Sequence, residues 1–203
     1  MNDVGRIMQL APVIPVLVIE DIAYARPIAE ALVAGGLRAL EVTLRTPVAL
    51  DAIREMAKVD GAIAGAGTVL NEADLEASLE AGARFIVSPG LTEPLSKAAI
   101  ASGIPFLPGI ATASDVMRGL DLGLSRFKFF PAVAAGGIPA LKALAAPFRR
   151  CTFCPTGGIT QETAPDWLAL EEVPCVGGSW LVPPGRPNPE QITTRARSVA
   201  GQQ

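Results

Sequence analysis

Histidine is absent from the 203 residues. That removes the Ser-His-Asp triad, the Cys-His pair, the histidine general base and imidazole metal ligation together. Cysteine is scarce, and three residues are too few for a disulfide framework. Charge is low: 17 Lys+Arg against 20 Asp+Glu give 18% charged residues and a net charge of −3. No basic surface for nucleic acid follows from that balance. The 50% hydrophobic content excludes a disordered polyelectrolyte. The longest uncharged stretch, Ala98 to Ser114, is short for a membrane span and is broken by Gly103, Pro105, Pro108 and Gly109. The opening run Met1-Asn2-Asp3-Val4-Gly5-Arg6 lacks the basic-then-apolar layout of a signal peptide. A soluble, cytoplasmic protein is expected. Its chemistry is left to Lys, Asp/Glu, Tyr, Cys, hydroxyls, Arg or backbone groups.

Cys151 and Cys154 form a C-x-x-C, within a run that reads as a strand. Residues three apart on a strand face opposite sides. A redox pair would instead open a helix, and no second C-x-x-C completes a zinc site. These thiols are expected to be inert core residues.

What the chain does have is a rhythm. A short apolar run, a turn residue, an amphipathic stretch and a glycine recur from end to end. Eight strand candidates emerge: Val13–Ile19, Ala39–Leu44, Ala62–Val69, Phe85–Pro89, Pro105–Ile110, Arg126–Pro131, Cys151–Thr156 and Cys175–Trp180. Asp21, Asn71, Thr92 and Thr112 precede helix candidates as caps. Glycines at 35–36, 82, 103 and 123 close them. Strict alternation implies parallel strands with helical crossovers. Eight units in 203 residues predict a compact (β/α)8 TIM barrel as a single domain over 1–203, with a short extra N-terminal helix from Asp3 to Leu10. The alternative is an open doubly wound sheet, but Gly65-Ala66-Gly67-Thr68-Val69-Leu70 does not complete the dinucleotide fingerprint, and no P-loop occurs.

Alternation along the strands selects inward positions. In the second strand Leu40, Val42 and Leu44 face the helices, while Ala39, Glu41, Thr43 and Arg45 face inward. In the sixth, Phe127 and Phe129 point out and Lys128 points in. Burial disfavours an ammonium, and a neutral amine attacks carbonyls to give a Schiff base. Position alone fits a structural ion pair of Lys128 with Glu41 equally well. Glu41, Arg45, Thr68, Lys128 and Thr156 nevertheless gather toward strand C-terminal ends, where barrel enzymes keep their sites. Gly157-Gly158 after the seventh strand and Gly177-Gly178-Ser179 in the eighth suit either tight turns or a phosphate site.

Six motifs carry a resemblance. They are Glu41-Val42-Thr43-Leu44-Arg45-Thr46, Gly65-Ala66-Gly67-Thr68-Val69, Ser88-Pro89-Gly90, Phe127-Lys128-Phe129-Phe130-Pro131-Ala132, Cys154-Pro155-Thr156-Gly157-Gly158-Ile159 and Gly177-Gly178-Ser179-Trp180. In this order and spacing the chain resembles the 2-keto-3-deoxy-6-phosphogluconate (KDPG) aldolase family, which includes 4-hydroxy-2-oxoglutarate aldolases. The resemblance implies a metal-free class I aldolase without cofactor, on a (β/α)8 barrel, assembled as a homotrimer. It implies that Lys128 forms the Schiff base and Glu41 is the general acid/base. Arg45 and Thr68 would hold the substrate carboxylate. Thr156, Gly157, Gly158, Gly178 and Ser179 would form the pocket for the distal end and phosphate, with Pro89 and Phe130 lining it. The implied partners are a phosphorylated keto acid and pyruvate.

Thr156 resembles the gluconate-type members more than the galactonate-type ones. One departure stands out: many relatives carry an acidic residue after Pro131-Ala132, where this chain has Val133-Ala134. Two other functions are weighed. One is a main activity on 4-hydroxy-2-oxoglutarate, which has no phosphate for the glycine pairs to bind. The other is a non-catalytic phosphosugar-binding barrel, which would have no need of Lys128 and Glu41.

Overall fold

The computed structural model of the chain describes residues 4–201. Short apolar runs become strands because their β-branched and aliphatic side chains fit a pleated surface buried on both faces. The strands are β1 (Val13–Leu17), β2 (Ala39–Thr43), β3 (Ile63–Gly67), β4 (Ile86–Val87), β5 (Phe106–Leu107), β6 (Gly109–Ile110), β7 (Arg126–Phe129), β8 (Thr152–Pro155) and β9 (Val176–Gly178). Helices interleave with them: α1 (Val4–Met8), α2 (Ala25–Ala34), α3 (Ala49–Met56), α4 (Glu72–Glu80), α5 (Glu93–Ser102), α6 (Ala113–Asp121), α7 (Gly137–Ala145), α8 (Ala164–Leu168) and α9 (Pro189–Ala200).

The ladders joining these strands are parallel. Six strands run in the order β5-β4-β3-β2-β1-β9, and three more in the order β6-β7-β8. The result is a parallel-strand α/β fold with a sheet curled into a half-barrel. An isolated parallel bridge from Thr156 to Gly177 links the end of β8 to β9.

The fifth expected strand, Pro105–Ile110, is divided into β5 and β6. Pro108 lies at the break and has no N–H to give. Its carbonyl accepts from Lys128 N at 2.8 Å. Phe106 and Leu107 therefore pair back to β4, and Gly109 and Ile110 pair forward to β7. The expected strand at 85–89 shortens to Ile86–Val87, where Ser88 turns its hydroxyl onto the carbonyl of Gly90 at 2.7 Å.

Helix starts follow the capping residues. Asn71 accepts from Asp74 N at 2.9 Å. Thr112 and Asp115 form a reciprocal capping box. Asp21 caps a single 3-10 turn, Ile22–Tyr24, which leads into α2. Thr92 makes no side-chain cap bond. The N-terminal helix α1 buries Val4, Ile7 and Met8; the expected start at Asp3 lies outside the described residues.

Two apolar layers result. The outer one joins Leu40, Val42, Ala64, Ala66, Phe127, Phe129 and Phe153 of the strands to Ile28, Leu32, Ile53, Leu141 and Trp167 of the helices. The inner one is smaller: Ile14, Ala39, Phe85, Val87, Leu107, Cys154 and Cys175, with Val4, Ile7 and Met8 packed against them. Cys151 falls in the outer layer and Cys154 in the inner, so their thiols diverge. Most stabilising burial therefore lies between strands and helices. The rings of Phe127 and Phe153 stand 6.2 Å apart there, both fully buried. Phe153→Ala should lower stability by about 3–5 kcal/mol. A fall in the urea midpoint with an unchanged slope would show it; a midpoint equal to the wild type would contradict this account of the core.

Candidate active site

The alternation on β7 does what the sequence suggests. Phe127 and Phe129 go outward into the main core, and Lys128 goes inward. On β2, Leu40 and Val42 go outward and Glu41 inward. The two inward charges meet. Lys128 Nζ donates to Glu41 Oε1 at 2.9 Å, across 87 residues of sequence. Their side chains are only 8% and 4% exposed, so the pair is shut off from bulk water. The ring of Phe130 lies 5.4 Å from Nζ and offers its negative face to the ammonium.

Around this pair the strand ends are tied together. Thr43 donates its hydroxyl to Leu17 O at 2.8 Å, and Thr46 to Ile19 O at 2.6 Å. These two bonds staple the end of β2, and the turn after it, to the end of β1. Sequence reading did not single out Thr43 or Thr46 for this. The available signal was a threonine on an inward position followed by another just beyond the strand.

Arg45 departs from expectation. β2 ends at Thr43, so Arg45 lies in the following turn as an exposed residue and not as the next inward rung. Leu44 N donates to Gly67 O at 2.8 Å, which sets the Arg45 turn beside that of Thr68. Thr68 has φ +61°, a left-handed backbone for a β-branched side chain. Such a conformation costs about 1–3 kcal/mol and is held by surrounding structure. Here Val69 N donates to Val87 O at 3.2 Å, pinning the residue after it.

Thr156 is buried at the end of β8. A Cβ on Gly177 would overlap its Oγ1, so the glycine makes room for the hydroxyl. Gly157 and Gly158 have φ +105° and +80°. Only glycine takes these values without strain, and the bare backbone leaves amides open to an anion. Ala132 N and Val133 N donate to Thr156 O at 2.8 Å and Gly157 O at 3.1 Å, fastening the loop after β7 to this turn. The Val133 side chain packs over Gly158. Gly178 lies under Trp180, and Ser179 is exposed just beyond. Pro89 is half-buried, with its carbonyl against Gly109, the register partner of Lys128.

The structure thus brings Lys128, Glu41 and Phe130 into one cluster. Among the described residues, no hydrogen bond joins Arg45 or Ser179 to that pair. Cys154 is the register partner of Lys128 on β8. The Cys175 thiol is pushed well above the ordinary thiol range, first by its hydrogen bond with Cys154 and then by burial. A thiol held protonated is a poor nucleophile, so Cys175 is not placed to act as one. A separate groove of about 820 Å³, lined in part by Arg6, Arg84 and Ser102, holds no such pair.

A buried lysine hydrogen-bonded to a carboxylate, beside a glycine turn open to anions, suits imine chemistry on a keto acid. Comparison with known proteins agrees. The family model for KDPG and KHG aldolases matches residues 4–194. The 2-dehydro-3-deoxy-phosphogluconate aldolase of Zymomonas mobilis is 60% identical over 200 residues, 98% of this chain and 96% of that protein. A crystal structure of the 2-keto-3-deoxy-6-phosphogluconate aldolase of Zymomonas mobilis with 3-phosphoglycerate superposes with a TM-score of 0.98 at 59% identity, covering 100% of this chain and 97% of that one. A KDPG aldolase from Legionella pneumophila, with pyruvate captured as a covalent carbinolamine, gives a TM-score of 0.95 at 46% identity, covering 98% of each chain. This chain belongs to the KDPG and KHG aldolase family.

Proposed function

We propose that this protein is a class I aldolase that cleaves KDPG reversibly to pyruvate and glyceraldehyde 3-phosphate. The observation that carries the reading is the buried Lys128–Glu41 hydrogen bond of 2.9 Å. Passing the shared proton to Glu41 leaves a neutral amine and a carboxylic acid, the two forms the first step needs. Lys128 adds to the keto carbon. Glu41 protonates the carbonyl oxygen and helps expel it as water, leaving a protonated imine. The carboxylate, directly or through water, then takes the proton of the distal hydroxyl. The carbon–carbon bond breaks, its electrons flow into the imine as an enamine, and glyceraldehyde 3-phosphate leaves. Protonation of the enamine carbon and hydrolysis release pyruvate and restore Lys128.

The remaining residues serve binding. Arg45 offers two parallel donors to the keto-acid carboxylate, with Thr68 beside it. Thr156, Gly157, Gly158, Gly178 and Ser179 receive the distal hydroxyls and phosphate, and Pro89 and Phe130 wall the pocket. The strands form one domain with a closed (β/α)8 barrel. The Thr156–Gly177 bridge and the chain crossing at Pro108 support closure on both sides, and α1 caps the inner layer. The enzyme assembles as a homotrimer, which gives a use to exposed apolar side chains such as Val18, Ile22, Leu70, Met117 and Leu120. It works in the cytoplasm, a reducing compartment suited to its three free thiols.

The protein should cleave KDPG with a higher kcat/KM than 4-hydroxy-2-oxoglutarate; the reverse order would make the unphosphorylated acid its substrate. Borohydride added with pyruvate should leave a covalent adduct on Lys128 alone. Unmodified protein after that treatment would sink the mechanism. Lys128→Ala should abolish turnover, and Glu41→Gln should slow it by about 10²-fold or more while imine trapping persists.

Thr68→Gly should separate stability from activity. Releasing the left-handed strain should leave the thermal midpoint equal or higher, while KM for KDPG rises by about tenfold. A midpoint lowered by more than the equivalent of about 1 kcal/mol, the chain entropy that glycine adds, would count against stored strain. Light scattering should return three times the chain mass; a monomer would refute the trimer.

A further inference from the structure

β3 has three inward positions, Ile63, Gly65 and Gly67, and the two nearer its C-terminal end are glycine, while Ala64 and Ala66 point into the outer core. Register pairs Glu41 with Gly65 and Thr43 with Gly67. The space over Gly65 is taken: a Cβ there would overlap the ring of Phe85. The Glu41 carboxylate instead leans along β3 toward its C-terminal end and lies over Gly67. A Cβ on Gly67 would overlap Glu41 Oε1 and fall 2.7 Å from its Cγ and 2.9 Å from its Cδ.

We propose that Gly67 is a positioning residue for the aldolase reaction. Its missing side chain is the space that seats the Glu41 carboxylate, and that seat holds Oε1 at 2.9 Å from Lys128 Nζ. The backbone cannot retreat to admit a methyl. Leu44 N donates to Gly67 O at 2.8 Å on one side, and Ala66 N to Phe85 O at 3.0 Å on the other. Gly67 is a regular strand residue outside the left-handed region, so alanine fits its backbone. The effect of a methyl there is steric and falls on Glu41 first, because that carboxylate is the nearest group. The inference rests on Glu41 being the proton carrier of the reaction.

The test is a double-mutant cycle of Gly67→Ala and Glu41→Ala, read by kcat and KM for KDPG and by thermal midpoint. Gly67→Ala alone should lower kcat by about tenfold or more, with KM within about threefold, because proton transfer is lost before binding is. In the Glu41→Ala background the same methyl should change kcat by less than about twofold, and the midpoint should hold or rise as it fills vacated space. Equal losses in both backgrounds, or a Gly67→Ala enzyme with wild-type kcat, would overturn the proposal.

Should Gly67→Ala fail to fold, the double variant decides: folding with the residual kcat of Glu41→Ala supports the seat, and failure to fold overturns it. A Glu41→Ala enzyme at full kcat would refute the role given to Glu41. The midpoints would still report whether Gly67 seats its carboxylate.

Discussion

One hydrogen-bonded ion pair organises this molecule. Lys128 and Glu41 come from strands on different sheets and meet in a layer whose other buried side chains, among the described residues, are uncharged. Burying two charges is expensive, and removing one partner of such a pair typically costs about 3–5 kcal/mol. The fold meets that demand by geometry. β7 faces its lysine inward because its flanking phenylalanines are pulled outward. β2 does the same for its glutamate with Leu40 and Val42. The strands between supply small residues where the charges need room.

The two layers divide the work. Aromatic and aliphatic bulk lies between sheet and helices, where it stabilises the fold. The inner layer is thin and holds Lys128, Glu41, the thiols of Cys154 and Cys175 and the glycines. Threonine hydroxyls bonded to Leu17 O and Ile19 O take the place of ladder hydrogen bonds where the strands end. At that rim the backbone leaves regular geometry, at Thr68, Gly157 and Gly158. Order in the core and irregularity at the rim are two sides of one arrangement: the rigid strands hold the strained turns in place.

Much of this was legible in the sequence, and the reason is periodicity. Lys128 between Phe127 and Phe129, or Glu41 between Leu40 and Val42, fixes which way each side chain points without any knowledge of the sheet. Where periodicity stops, so does legibility. The alternation of β2 does not reach Arg45, because the chain turns after Thr43. The fifth strand read as one run, because its division at Pro108 depends on which neighbour each half finds. Gly67 stands in an incomplete nucleotide fingerprint and in a family motif, and neither shows its role, because an empty space has meaning only once its occupant is known. Thr43 and Thr46 gave no clue to which carbonyls they would reach.

β7 also couples two properties that are usually separable. Its four residues, Arg126 to Phe129, carry the amine on one face and two of the largest core side chains on the other. Phe127 packs against Phe153, and Phe129 stands 6.5 Å from Trp167 of α8. The direction of the lysine is therefore set from behind the sheet, by rings packed in the outer core. The packing of the outer core and the direction of Lys128 are thus tied together in one strand.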